Sequence, residues 1–224
     1  MKTMKCLFCI VLWPLFNFSQ QQPVIINGEA QGSTYHIVYF DAQNRNFQPE
    51  IEQILKDFDL SLSTYMPNSI ISRINANEPD VLVDAYFIAC FNKAKEIWKH
   101  TKGDFDPTVY PLVNAWGFGP GKKLEIEQRK IDSILEFVGF KKIKLKGNKI
   151  IKKDPRVALD FNAFAQGYSV DVVSEFLNSK QIESYLVEIG GEVYAKGKKP
   201  NGVYWTVGIE KPIENKESVN PINA

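Results

Sequence analysis

The stretch Val157-Ala158-Leu159-Asp160-Phe161-Asn162-Ala163-Phe164-Ala165-Gln166-Gly167-Tyr168-Ser169-Val170-Asp171 changes its period halfway along. Val157, Leu159 and Phe161 alternate, as on the inner face of a buried strand. From Phe164 the apolar repeat becomes helical, through Tyr168, Val172 and Phe176. A strand is therefore expected to run directly into a helix, with Asp160 at the turn. Free N–H groups at a new helix suit a phosphate. A carboxylate or an exposed carbonyl beside them suits a hard cation such as Mg²⁺. The same residues also fit a plain junction in which Asp160 only caps the helix.

Around this stretch lies a chain of 224 residues, room for one good-sized domain or two small ones. Hydrophobic residues at 44% and charged residues at 24% are globular usage, which excludes a disordered chain. A net charge of +1 leaves no broad footprint for nucleic acid, so none is expected as a partner. The densest basic run, Lys141 to Lys153, is interleaved with Ile143, Leu145, Ile150 and Ile151. That alternation predicts a hairpin with a solvated lysine face.

At the N-terminus, Lys2 and Lys5 precede an apolar run from Cys6 to Phe18, and Ser19-Gln20-Gln21-Gln22 follows it. The run is too short to span a bilayer and reads as a secretory leader over residues 1–20. Residues 21–224 then form the exported domain, periplasmic or envelope-associated. Neither Cys6 nor Cys9 follows the small residues of a lipoprotein signal. Without the leader, Cys90 is the one remaining thiol, so no intrachain disulfide is expected. Its apolar helical stripe places it in the core.

Ser33 to Phe40 alternates and is rich in β-formers, with Gln31-Gly32 as a turn before it. Ile51, Ile54, Leu55, Phe58 and Leu62 predict a helix beginning near Pro49. It ends before Pro67, which leaves Tyr65 on a loop, either as a lid on a ligand or as surface packing. Ser69 and Asp84 cap the next two helices. His36 and His100 have no partner at metal-ligand spacing and read as structural, and no zinc site or nucleophilic triad can be assembled. Gly103 to Pro120 is too irregular for a plain element and carries Asp104, Phe105 and Asp106. It is either a functional segment or a Pro-rich connection packed by its own aromatics. Gln128 to Phe137 predicts a helix stopped by Gly139, and Phe140 to Leu159 a hairpin turning at Gly147-Asn148. Further strands are expected at Ser184–Ile189, Val193–Ala195 and Val203–Ile209. Gly190-Gly191 permits either a turn or close approach to a ligand. The tail from Pro212 shows no period.

Four motifs, in this order, resemble the ApbE-type FAD:protein FMN transferase family. They are Gly28-Glu29-Ala30-Gln31-Gly32-Ser33-Thr34-Tyr35; Leu62-Ser63-Thr64-Tyr65 with Ser72-Arg73-Ile74-Asn75; the Gly103-to-Gly119 stretch; and Leu159-to-Asp171 with Gly190-Gly191. The resemblance runs from about Gly28 to Pro212. It implies an α/β (α+β) fold of mixed, largely antiparallel sheets with packed helices, of the ApbE/T-fold kind. It implies an enzyme of the bacterial envelope that uses FAD as substrate with Mg²⁺. FMN would pass to a Thr or Ser hydroxyl of an acceptor flavoprotein near the membrane, and AMP would be released.

Carried over by position, Gln31, Tyr65, Asp104, Phe105, Asp106, Asp160 and Gln166 match FAD contacts. Tyr65 matches the aromatic beside the flavin ring, and Ala163 the residue whose backbone carbonyl ligates the metal. No residue is assigned as catalytic base. Family members continue past the last residue here into a His-x-x-Asp-Pro segment and further metal ligands, so the domain is read as lacking its C-terminal part. Three functions stay open: the transferase, an FAD pyrophosphatase giving FMN and AMP, and a non-catalytic flavin-binding protein.

Overall fold

Two positive-φ residues, Gln31 (56°) and Gly32 (71°), fold the first hairpin between β1 (Val24–Ala30) and β2 (Ser33–Phe40). The computed structural model describes residues 22–120 and 127–208. The leader-like segment, the polar tail and Ile209 lie outside them.

β1 is not among the expected strands, and it holds Gly28 in its interior. Its place in the strand has a steric cause. Gly28 pairs with Tyr35, whose ring lies across it, and a Cβ at Gly28 would sit 2.6 Å from that ring. Glycine is thus the residue that lets the aromatic lie flat across the strand.

β5 (Ser184–Ile189) and β6 (Glu192–Lys196) complete an antiparallel sheet of order β1-β2-β5-β6. Its inner face is a buried row of Ile26, Tyr35, Ile37, Tyr39, Tyr185, Val187 and Ile189. That row packs against α1 (Gln48–Leu62) through Ile51 and Leu55, and against α6 (Asn162–Ser179) through Val170, Val173 and Leu177.

A second core lies on the far side of these helices. α2 (Ile70–Asn75) is capped by Ser69 and α3 (Ala85–His100) by Asp84, each side chain accepting the N–H three residues on. Phe58, Leu62, Phe87, Phe91 and Ala94 meet Val157, Leu159, Phe161 and Ala165 there. Cys90 is buried among them, and burial pushes its thiol up to about 12. The expected fold class holds: mixed α and β with antiparallel sheets.

α4 (Tyr110–Ala115) is a short helix inside the irregular segment, and α5 (Gln128–Leu135) ends two residues earlier than expected. The lysine-rich hairpin is β3 (Ile143–Lys146) with β4 (Lys149–Lys152), turning at Gly147-Asn148 as expected. It stops at Lys152, well short of Leu159, because Pro155 has no N–H to continue a ladder. Asp154 also turns the chain by accepting the Arg156 N–H at 2.9 Å. The lysine face is not wholly solvated. Lys152 is half-buried, and its ammonium donates to the Val157 carbonyl at 2.8 Å.

Among the described residues Val157 to Phe161 belongs to no sheet and makes one parallel bridge, from Ala158 to Val109. Val203 to Gly208 likewise forms no strand. One bridge joins Tyr204 to Lys198. Trp205 leaves the edge to pack on Phe40, 5.9 Å between ring centroids, and its indole N–H donates to the Lys196 carbonyl at 3.1 Å. Among the described residues no helix is long and apolar enough to cross a membrane.

Candidate functional site

Three chain segments meet at a cavity of about 500 Å³: the loop after α1, the 104–109 loop, and the junction leading into α6. Tyr65, Asp104, Phe105, Asp106, Asp160 and Ala163 line it.

The first segment is fixed by hydroxyls. Ser69 and Ser72 both donate to the Ser63 carbonyl, at 2.6 and 3.1 Å. Thr64 is buried and accepts from the Asn162 amide at 3.4 Å. This holds Tyr65 outward, 60% exposed, with its hydroxyl donating to the Phe118 carbonyl at 2.8 Å.

In the second segment Asp106 is tied into the fold. One oxygen accepts the Thr108 N–H at 2.9 Å and the Thr108 hydroxyl at 2.6 Å. Its other oxygen accepts the Phe140 N–H at 2.8 Å. Thr108, fully buried, accepts in turn from the Gly139 N–H at 2.7 Å. Asp106 therefore lines the cavity while pinning its loop to the 139–140 corner. Asp104 is exposed and, among the described residues, free of such ties.

Asn75 holds the third segment. Its amide accepts the Leu159 N–H at 2.8 Å and donates to the Leu159 carbonyl at 2.9 Å, as a neighbouring strand would. The Asp160 N–H donates to the Pro107 carbonyl at 2.8 Å. One Asp160 oxygen accepts the Asn162 N–H at 2.7 Å, closing a turn just ahead of α6, but the residue at the helix cap is Phe161 and no side chain caps this helix, so Asp160 is not its N-cap. The second has no protein partner among the described residues. Burial raises the Asp160 pKa, and the Asn162 N–H only partly opposes it. Among the described residues no lysine or arginine lines the cavity.

Gln31 and Gln166 stand outside the cavity, together. The Ser169 hydroxyl donates to the Gln166 carbonyl at 2.6 Å and lies 3.2 Å from the Gln31 side-chain oxygen. The Gln31 amide nitrogen is buried with no partner among the described residues. The Gln166 amide lies against Gly190, where an added Cβ would overlap it, and Gly190 has φ 57°. Ala163 and Gln166 are neighbours one turn apart on α6, so the two groups follow one another along that helix. The expected residues thus form a cavity set and a set beside the sheet turns. Sequence reasoning passed over Asn75, Thr108 and Phe118 as site-builders. The Asp106-x-Thr108 spacing is a turn signature that could have marked one of them.

Among the described residues no three His, Cys, Asp or Glu side chains are grouped so as to hold a metal ion. Asp104, Asp160 and Ala163 all line the cavity.

A sequence model of the ApbE family matches residues 31–223. The chain is 38% identical over 209 residues to the FAD:protein FMN transferase of Haemophilus influenzae, covering 87% of this chain and 60% of that protein. It is 34% identical over 210 residues to the enzyme of the same name from Vibrio cholerae, covering 90% and 63%. The solved flavin transferase ApbE from Vibrio cholerae superimposes with a TM-score of 0.79 at 33% identity, over 86% of this chain and 65% of that one. The chain spans about three fifths of the length of the curated relatives it matches. On the match over 31–223 and the shared fold, the chain belongs to the ApbE family.

Proposed function

We propose that this chain carries the flavin-handling part of an FAD:protein FMN transferase. Such an enzyme moves FMN from FAD to a Thr or Ser hydroxyl of an acceptor flavoprotein and releases AMP. The observation that carries the reading is the cavity, lined by the Tyr65 ring and the carboxylates of Asp104, Asp106 and Asp160 and, among the described residues, by no basic side chain. The relatives named FAD:protein FMN transferase support it.

A pyrophosphate placed among Asp104, Asp106 and Asp160 meets like charge and needs a counter-cation. The uncompensated Asp160 carboxylate and the Ala163 carbonyl fit Mg²⁺, which takes few protein oxygens and keeps water and phosphate as its other ligands. When bound, Mg²⁺ supplies charge neutralisation at the pyrophosphate. Tyr65 supplies a face for the isoalloxazine, and Phe105 an apolar wall. Gln166, further along α6, and Gln31, in the β1–β2 turn beside it, offer amide groups, the Gln31 nitrogen being without a partner among the described residues.

In the transfer, the acceptor oxygen bonds to the FMN phosphorus as the bond from that phosphorus to the AMP oxygen breaks. AMP leaves with the electron pair, and the hydroxyl proton passes to a base. Asp106 is unsuited to that role, because its oxygens are engaged by Thr108 and Phe140. Export to the periplasm or envelope, at the membrane periphery, belongs to the same reading and rests on Lys2, Lys5 and the Cys6–Phe18 run.

The test is an FAD titration of the purified chain with Mg²⁺ and with excess chelator, followed by incubation with an acceptor domain. FAD binding that weakens on chelation, with covalent flavin on the acceptor, is expected. No binding under either condition would end the reading. Free FMN and AMP without acceptor labelling would make the protein a pyrophosphatase.

A further inference from the structure

α2 is only six residues long, yet it touches both walls of the cavity. Ser69, Ser72 and Asn75 recur at every third position and so share one side of this helix. At one end, the Ser69 and Ser72 hydroxyls hold the Ser63 carbonyl at 2.6 and 3.1 Å, two residues before Tyr65. At the other, the Asn75 amide holds both backbone groups of Leu159, at 2.8 and 2.9 Å, one residue before Asp160. Ser69 is fully buried, and Ile71 and Ile74 anchor the opposite side of the helix in the core. Leu159 has no sheet partner, so Asn75 is what sets its position on this side.

We infer that Ser69, Ser72 and Asn75 form a polar rail that sets the separation of Tyr65 from Asp160. They are positioning residues: none lines the cavity, and each acts through the backbone next to a residue that does. The rail deepens the transferase reading, and its role in turnover rests on that reading. The flavin ring would be located by the serine end and the carboxylate facing the phosphates by the asparagine end. The two ends therefore fail differently. Loosening Tyr65 weakens flavin binding, whereas shifting Asp160 misplaces the reacting phosphate. A displacement on the order of 1 Å at a reacting centre costs about 100-fold in rate.

The experiment compares Ser72→Ala, Asn75→Ala and Asn75→Asp in the intact chain. Asn75→Asp keeps the volume but turns a carboxylate oxygen toward the Leu159 carbonyl. Measured are FAD affinity by flavin fluorescence, the rate at saturating FAD, and the crystal structure of Asn75→Ala. Ser72→Ala is expected to weaken FAD binding about fivefold at little change in saturated rate. Both Asn75 variants are expected to lower the saturated rate about 100-fold while FAD affinity stays near that of the parent. In the crystal, Asp160 should stand displaced from Tyr65. Equal losses of affinity and rate in all variants, tracking a lowered melting temperature, would reduce the rail to a stability device and overturn the inference. If the parent chain binds no FAD, the transferase reading fails by itself, and the crystal structure still decides the rail. An unmoved Asp160 in Asn75→Ala overturns it, and a displaced one upholds it.

Discussion

The Tyr65 hydroxyl donates a 2.8 Å hydrogen bond to the Phe118 carbonyl, so a ring that is 60% exposed is fixed at its tip. Exposed aromatic rings on loops ordinarily rotate freely. This one is held at its base by the Ser63 turn and at its end by the 116–120 segment. Phe118, itself 75% exposed, lines the same cavity.

Tyr65→Ala removes a stacking face worth ~1 kcal/mol and should weaken FAD binding about fivefold. Tyr65→Phe keeps the face and loses only the tip bond, so its loss should be smaller. A fluorescence titration separates the two. Unchanged affinity in Tyr65→Ala would take the ring out of the flavin site.

Asp106 and Asp104 are separated by one residue and should respond oppositely to substitution. Asp106→Ala leaves the Thr108 and Phe140 N–H groups without their partner and should cost ~3 kcal/mol of stability. Asp104→Ala should stay within ~0.5 kcal/mol, since its exposed side chain makes no bond among the described residues. Urea melts of the two variants provide the comparison. Equal midpoints would contradict the assignment of Asp106 to the loop.

Lys152 makes stability depend on alkaline pH. Burial lowers its pKa from 10.5 to about 8, with Asp154 opposing the shift. Between those values the unfolded chain binds more protons at this position than the folded one, so stability rises with pH. Below about 8 the lysine is charged in both states and its desolvation penalty is fully present. Lys152→Met should therefore flatten the pH dependence of the urea midpoint between 8 and 10.5. A slope identical to the parent's would place the titration elsewhere.

Gly190→Ala should act through Gln166. The added methyl overlaps the Gln166 amide and sits at a φ of 57°, which alanine adopts at a cost of ~1 kcal/mol. Both Gly190→Ala and Gln166→Ala should weaken FAD binding. The double variant should bind no worse than the weaker single, the signature of a shared interaction. Additive losses would separate the glycine from the glutamine.

Local signals in the sequence were read correctly where one short segment decides its own structure. The Ser69 and Asp84 caps, the start of α1 near Pro49 and the Gly147-Asn148 turn are of this kind. β1 escaped because Gly28 is explained only by Tyr35 on the opposite strand. The hairpin is shorter than the alternation of Val157, Leu159 and Phe161 suggests, because Leu159 bonds to a side chain and Asp160 to a loop. That side chain, Asn75, lies 84 residues away, and no periodicity carries such a pairing. At the cavity, the residue types were legible from the motifs. The division of labour between Asp106 and Asp160 was not, since it depends on which oxygens the fold already occupies.

α1 and α6 each belong to both cores. α1 gives Ile51 and Leu55 to the sheet side and Phe58 and Leu62 to the other, while α6 gives Val170, Val173 and Leu177 to the first and Ala165 to the second. Neither core can open without uncovering a helix that the other requires, so the two should melt as one cooperative unit. Any ligand gripped at the first turns of α6 then slows amide exchange in β5, across the helix from where it binds. Protection of Val187 and Ile189 becomes a remote gauge of what occupies the cavity.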